Sequence, residues 1–397
     1  MANKDSLTES KTLSLWGKVS LFGLIPVIIF RWIIGFAFPT NKALHWRQSL
    51  ALTFQQAQRA TLSTDQLRWV TRRTLTGTVV RQYCDRHQIP HDEATIQPST
   101  ISVATRGIDK SVSVPSSTLH FVTPASAAAA GPTLLYFHGG GFVNPLRAAA
   151  HMPLILSCAS ACKAKQVAIL EYALAPQHQY PTQFVQAVLA FRYLLDNLSL
   201  CAEDIILAGD SAGAQLAGAV LAHLADPSPY VSTVSLVGRI RAVLFMSPFT
   251  LLQENQESYD FNNGKDYLNR PQVRAFKDDW SPIEDEVWAN LCGAEDASEV
   301  WGRVFPSLQS KGLVKKAMIV VGSAEVLLDN SREFARDHLR AETVMANRET
   351  DWKVLDGKDF VLVECEGESH VQAALDAVVG HDKGAMTLAI KAWLANV

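Results

Sequence analysis

Charge and cysteine are both scarce in this chain of 397 residues. Asp, Glu, Lys and Arg make up 19% of it and sum to a net charge of −3. A nucleic-acid partner would require clustered Lys and Arg along one face, and the chain has no such stripe. The charged share is below the ~25% usual for soluble domains, which implies that some surface faces something other than water. The six cysteines are Cys84, Cys158, Cys162, Cys201, Cys292 and Cys365. They contain no C-x-x-C pair. Cys158 and Cys162 are close as C-x-x-x-C, without the second pair or the histidines of a zinc site. Buried free thiols are expected, with one or two disulfides if the body lies in an oxidising lumen. The histidines show no ligand spacing such as H-E-x-x-H, so no metal and no cofactor is expected. There is no internal repeat and no long low-complexity tract. What is plentiful is hydrophobic residues, 48% of the chain, enough for a large core and too many for a disordered one.

The longest apolar run is residues 19–38, VSLFGLIPVIIFRWIIGFAF. A helix of about 20 residues matches the hydrocarbon thickness of a bilayer. Its one charge, Arg31, can snorkel toward headgroups, and Pro26 is tolerated in a membrane helix. A signal anchor is the expected role. A cleaved signal peptide fits less well, because Gly35-Phe36-Ala37 is a poor cleavage site and the run exceeds the usual length of about 7–15 residues. An in-plane or buried helix is the third reading. Lys4, Lys11 and Lys18 precede the segment, and Lys42 and Arg47 follow, which favours a cytosolic N-terminus and a lumenal body. Asn197-Leu198-Ser199 would then be a glycosylation sequon.

Residues 44–97 carry apolar positions at i, i+3, i+4 spacing and read as helical. After the loop ASAAAAGP (125–132), short apolar runs alternate with helical patterns. Strands are expected at 133–137, 166–170, 204–209, 241–247, 317–322 and 360–365, and helices at 183–198, 211–225, 329–346 and 382–396. Near-continuous apolar strands alternating with helices describe an α/β fold, a mostly parallel sheet flanked by helices. Residues 250–305 are polar, hold Trp280, Trp288 and Trp301, and read as an insertion. The expected division is a tail at 1–18, an anchor at 19–38, a helical cap region at 39–100, and an α/β domain at 101–397 with a cap insertion at about 250–305.

Two glycine motifs carry chemistry. Gly209-Asp210-Ser211-Ala212-Gly213 follows a strand and opens a helix, the context that a G-x-S-x-G nucleophile elbow needs. His138-Gly139-Gly140-Gly141-Phe142 also follows a strand, and its glycines leave N–H groups unshielded. Backbone N–H groups of Gly140, Gly141 and Ala212 are the expected oxyanion donors, with His138 ordering the loop. A serine nucleophile needs a base, and the base needs an acid to orient it. In the chain order of an α/β-hydrolase these follow later strands as acid, then His. Glu325 lies just past the strand at 317–322, with Asp329 as the alternative acid. His370 lies past the strand at 360–365, with His381 as its competitor.

HGGGF, YALAPQHQYP (172–181), GDSAG, GSAEVLLD (322–329) and His370, in that order, resemble the hormone-sensitive-lipase-like group of α/β-hydrolases over roughly residues 130–395. The chain departs from that pattern at Ala173 and Gln177, which replace Arg and Glu. It also has Glu325 where Asp is commoner, and Val371 after the histidine. With its N-terminal anchor, the layout is similar to arylacetamide deacetylases and fungal steryl acetyl hydrolases, which implies attachment to the endoplasmic reticulum with a lumenal catalytic body. The resemblance implies a serine esterase with Ser211, His370 and Glu325 as triad. It would remove short acyl groups, acetyl first, from lipophilic alcohols such as sterols or secondary metabolites. Acyl transfer, lactone or amide hydrolysis, and a catalytically silent binding protein on the same fold are the alternatives.

Overall fold

The computed structural model describes residues 13–72, 74–105, 108–307 and 310–397. Four helices come first: α1 (Leu15–Ala37), α2 (Trp46–Arg59), α3 (Thr64–Thr71) and α4 (Thr76–His87). Four short strands follow, β1 (His91–Ile96), β2 (Ser99–Thr105), β3 (Ile108–Val114) and β4 (Ser117–Val122). Strand and helix then alternate through β5 (Thr133–Phe137), α5 (Ala148–Ala161), β6 (Gln166–Glu171), α6 (Thr182–Asp196), β7 (Ile205–Asp210), α7 (Ala212–Ala225) and β8 (Ala242–Met246). Three helices, α8 (Ser258–Phe261), α9 (Arg270–Trp280) and α10 (Ala297–Val304), separate β8 from β9 (Ala317–Gly322). The chain continues through α11 (Leu328–Glu333), β10 (Glu342–Ala346), β11 (Phe360–Cys365), α12 (Gln372–Val378) and α13 (Ala385–Leu394).

Nine strands form one sheet in the order β1-β4-β6-β5-β7-β8-β9-β11-β10. From β6 to β10 every pairing is parallel; β4 joins β6 and β1 antiparallel at one edge. Every residue of β5, β7, β8 and β9 is buried, as strands covered on both faces must be. Alternate side chains feed opposite layers. Leu135 and Phe137 of β5 pack among residues of α6, α7 and α10, whereas Leu134 and Tyr136 pack among those of α5 and α13.

The structure departs from the sequence reading at β2 to β4, α5 and α12, which that reading did not expect, and in four further places. First, the helical reading of 44–97 ends at His87, and His91–Ile96 is a strand. Its half-exposed, polar residues suit the sheet's edge, where one face meets water. Second, the expected helix 329–346 stops at Arg340, which takes φ 51, and β10 follows as the opposite edge strand. Third, the apolar helix starts at Leu15, because Ser14 Oγ caps it by accepting from Gly17 N–H at 3.1 Å. Residues 1–12 of the expected tail lie outside the described residues. Fourth, the last part of the 250–305 segment belongs to the core: Trp301 and Val304 of α10 are buried with α7 and Phe334. The six cysteines are free, and Cys162 Sγ donates to Cys158 O at 3.3 Å within α5.

The contact of α7 with the sheet leaves no room for a side chain at Gly213, where a Cβ would lie 1.9 Å from Phe137 O. Gly302, in α10, would meet nothing within 4 Å. Thermal unfolding checks both. Gly213→Ala is expected to destabilise by about 3 kcal/mol or more. Gly302→Ala is expected to stabilise by about 0.5–1 kcal/mol, since it only removes helix-interior glycine entropy.

Candidate active site

At the end of β7 the chain turns directly into α7, and Ser211 at the turn has φ 54 and ψ −120. A residue with a Cβ adopts that region only when its surroundings enforce it. Ser211 N–H donates to Met246 O of β8 at 2.8 Å, and Gln215 N–H donates to Ser211 O at 3.1 Å. A Cβ at Gly209 would lie 2.3 Å from Gly213 O, so both flanking glycines are required by the closeness of the turn.

Asp210 joins this turn to the second motif. Its Oδ1 accepts from Tyr136 Oη at 2.7 Å and from Gly139 N–H at 3.0 Å, and His151 Nε2 lies 3.4 Å from Oδ2. Burial pushes the Asp210 carboxyl up, but His151, Tyr136 and the Gly139 amide together outweigh burial and hold it below its ordinary value. Gly140 and Gly141 have φ 121 and 63, conformations glycine adopts without penalty. Among the described residues, none accepts a hydrogen bond from the N–H of Gly140, Gly141 or Ala212. All three residues line the same cleft as Ser211 and His370.

His138 stands behind the loop. Its Nδ1 donates to Gly139 O at 2.8 Å, so its Nε2 accepts from Thr76 Oγ1 at 3.2 Å. Tyr172, from the YALAPQHQYP segment, stacks on the ring and donates to His138 O at 2.7 Å. Burial holds the imidazole down at about 4, so it stays neutral and positions the loop.

Ser211 Oγ and His370 Nε2 are 2.9 Å apart. Glu325 Oε1 is 3.7 Å from His370 Nδ1, an ion-pair separation longer than a hydrogen bond. Among the described residues, neither of those two atoms has another partner. The other carboxylate oxygen of Glu325 accepts from Ser247 Oγ at 2.7 Å and Gly322 N–H at 3.2 Å. Burial lowers the affinity of His370 for a proton; Glu325 first, then Asp266 and Asp210, outweigh burial and raise its pKa above the ordinary value. Asp329, the alternative acid, is turned elsewhere: it accepts from Ser258 N–H at 2.8 Å and pairs with Arg332 at 3.3 Å. His381 stacks on His45, with ring centroids 4.5 Å apart.

Two residues absent from the sequence reading tie the acid loop to the histidine loop. Ser247 Oγ, besides donating to Glu325, accepts from Val371 N–H at 3.0 Å. Asp266 Oδ2 accepts from Val326 N–H at 2.9 Å, and its Oδ1 accepts from His370 N–H at 3.3 Å. Burial, with Glu325 adding to it, lifts the Asp266 carboxyl to about 6. Nothing in the sequence marks either residue, since each acts through contacts made only in the fold. The histidine loop is also held by Glu368, whose carboxylate accepts from Ala385 and Met386 N–H at 2.7 and 2.9 Å at the start of α13, and from Gln48 of α2 at 2.9 Å.

An open cleft lies over Ser211 and His370. Phe249, Leu268, Val273, Phe276, Trp280 and Leu327 make most of it apolar. Trp280 is the one tryptophan of the 250–305 segment that reaches it, stacking on Phe142 with centroids 4.1 Å apart. A second cavity shares Arg59, Asn144, Arg147 and Phe276 with the first and runs between α2, α3 and α9.

A serine on a strained strand-to-helix turn, facing a histidine past β11 of a mostly parallel sheet, places the molecule among serine-elbow α/β folds. The chain belongs to the alpha/beta hydrolase fold family, whose profile matches residues 134–360. It is 28% identical over 208 residues to an esterase of Acinetobacter venetianus, covering 52% of this chain and 61% of that one. It is also 28% identical over 204 residues to an acetyl esterase of Salmonella typhi, covering 50% and 57%. The chain thus spans about three fifths of the length of the curated relatives it matches. A crystal structure of an esterase from the bacterial hormone-sensitive lipase family superposes with a TM-score of 0.59 over 89% of this chain and 99% of that one. Their identity of 21% makes this a likeness of fold.

The charge around His370 gives a direct check by NMR titration. The imidazole is expected to titrate above 6.5. Glu325→Gln removes the largest raising charge, so the pKa should fall. Asp329→Asn should leave it in place.

Proposed function

We propose that this protein is a serine carboxylic ester hydrolase that removes short acyl groups from lipophilic alcohols. The observation that carries the reading is the 2.9 Å contact of Ser211 Oγ with His370 Nε2, beside three amides that point at no protein acceptor among the described residues. In this mechanism His370 takes the hydroxyl proton as Ser211 Oγ bonds to the ester carbonyl carbon. Glu325 holds the ring with Nε2 toward the serine and stabilises the imidazolium. The N–H groups of Gly140, Gly141 and Ala212 receive the oxyanion, each such donor contributing about 2.7–4 kcal/mol in comparable sites. His370 then protonates the departing alcohol, and water releases the acid by the same steps in reverse.

The cleft supports a short acyl group. The Phe276 ring lies so close to Gly141 that a Cβ there would meet it at 2.6 Å, so the ring crowds the space beside the oxyanion donors. The relatives named as esterase and acetyl esterase agree with this chemistry. A lipophilic alcohol fits the apolar cleft and the second cavity that opens beyond Phe276 toward α2 and α3.

The α1 helix is long and apolar enough to cross a membrane, and it lies near the N-terminus. Leu21 and Ile28 are buried on one side, against α2 and its neighbours. Arg31 is on the same side, bonded to Ala60 O and, at 3.2 Å, to Thr61 Oγ1. Trp16, Phe22, Phe30 and Ile33 are more than half exposed. We read α1 as a membrane anchor, with the body on the lumenal side of the endoplasmic reticulum. That side would make Asn197, exposed after α6, available for glycosylation.

Turnover of p-nitrophenyl esters tests the reading. Ser211→Ala is expected to lower kcat by about 10⁴-fold or more with the unfolding midpoint kept; retained turnover rejects the nucleophile. Phe276→Ala is expected to raise kcat/KM for octanoate relative to acetate by about tenfold, the worth of one or two methylenes in an apolar pocket. An unchanged acyl-length profile rejects Phe276 as the limit on acyl size.

A further inference from the structure

A second cluster of ionisable side chains lies away from the cleft, at the edge of the sheet. The antiparallel register sets Glu93 of β1 directly opposite His120 of β4. His91, two residues before Glu93, projects from the same face of β1. The donor atoms converge: His91 Nε2 is 3.1 Å from His120 Nδ1, His120 Nδ1 is 3.3 Å from Glu93 Oε1, and His91 Nε2 is 3.7 Å from Glu93 Oε1. We propose that His91, Glu93 and His120 form a zinc site that braces edge strand β1 onto the sheet.

The separations carry the argument. Zinc bound tetrahedrally at 2.0–2.1 Å sets its ligands about 3.3–3.4 Å apart. A cation about 2 Å from all three atoms would stand only about 0.6 Å off their plane, with its fourth position free for water. Two imidazoles and a carboxylate suit zinc better than calcium or magnesium, which take oxygen ligands. The surroundings prepare the histidines. His120 Nε2 donates to Glu171 Oε2 at 3.1 Å, leaving the Nδ1 lone pair facing the cluster. A carboxylate behind a ligating histidine fixes the tautomer and raises its basicity. One group opposes the cation. Arg81 Nη1 pairs with Glu93 Oε1 at 2.7 Å and has to release it; its half-exposed side chain has solvent to move into.

The site also connects to the cleft. Glu171 Oε1 accepts from Gly77 N–H at 2.9 Å, and the preceding residue, Thr76, holds His138 of the oxyanion loop. The sequence hid the cluster because its ligands lie on two strands, 29 residues apart, and only the register joins them.

The test uses the full chain in detergent micelles, stripped with a chelator and equilibrated with buffered zinc. Metal content by mass spectrometry should reach one zinc per chain, and zinc should raise the thermal unfolding midpoint. Cobalt in its place should give the visible absorption of a tetrahedral site. His91→Ala should weaken zinc binding by about tenfold or more and abolish the thermal shift. Should His91→Ala lower the metal-free midpoint, Glu93→Gln, one-third exposed, decides in its place. No zinc on the wild-type chain at micromolar concentration, or wild-type affinity in the deciding variant, overturns the proposal.

Discussion

Holding Ser211 at φ 54 costs about 1–3 kcal/mol, and the rest of the site depends on the structure meeting that cost. The turn is enforced from three sides. Met246 of β8 accepts the serine amide, the first turn of α7 bonds its carbonyl, and the closeness of Gly209 to Gly213 brings the helix start against the strand end. The same geometry aims the Ser211 side chain at the cleft and leaves the Ala212 amide, at the start of α7, without an acceptor among the described residues. Asp210 extends the constraint outward. Its carboxylate, buried and kept ionised by the groups around it, ties Gly139 of the glycine loop to the residue before the serine.

The histidine half of the site is held differently. His370 comes from a loop after β11, and Glu325 from a loop after β9. Ser247 and Asp266 each bond to both loops and so tie them together. Asp266 comes from the segment that also supplies Trp280 and Phe276 to the cleft wall. Gln48 links the same histidine loop to α2, whose neighbour α1 carries the exposed apolar surface. The proposed catalytic base is therefore joined by hydrogen bonds to the elements that cover the cleft and, through α2, to the helix that we assign to the membrane.

The elbow, the glycine loop and the acid were legible because each follows a fully buried apolar strand, and the histidine because it follows β11, buried except at Phe360; a strand buried on both faces announces itself without alternation. The strands at 91–122 were not legible. Their residues are mixed in polarity, those of β1 are mostly half exposed or exposed, and β1 follows a helix after only three residues. The β10 strand was hidden for the same reason: Met345 is exposed at the sheet edge, and Glu, Met and Ala are as much at home in a helix. The glutamate was separable from Asp329 by position alone, since Asp329 lies in the first turn of α11 and bonds with Ser258. Ser247, Asp266 and the His91–Glu93–His120 cluster depend on tertiary contacts between distant segments, which one sequence does not record.

The central claim is that His370 makes the Ser211 hydroxyl nucleophilic in the folded protein. Covalent labelling with a fluorophosphonate, followed by peptide mass spectrometry, measures this directly. The account predicts a single adduct, on Ser211, formed rapidly by the native chain and lost on unfolding or in His370→Ala. Labelling that is absent from the folded wild-type chain, falls on another residue, or proceeds undiminished without the imidazole would contradict it.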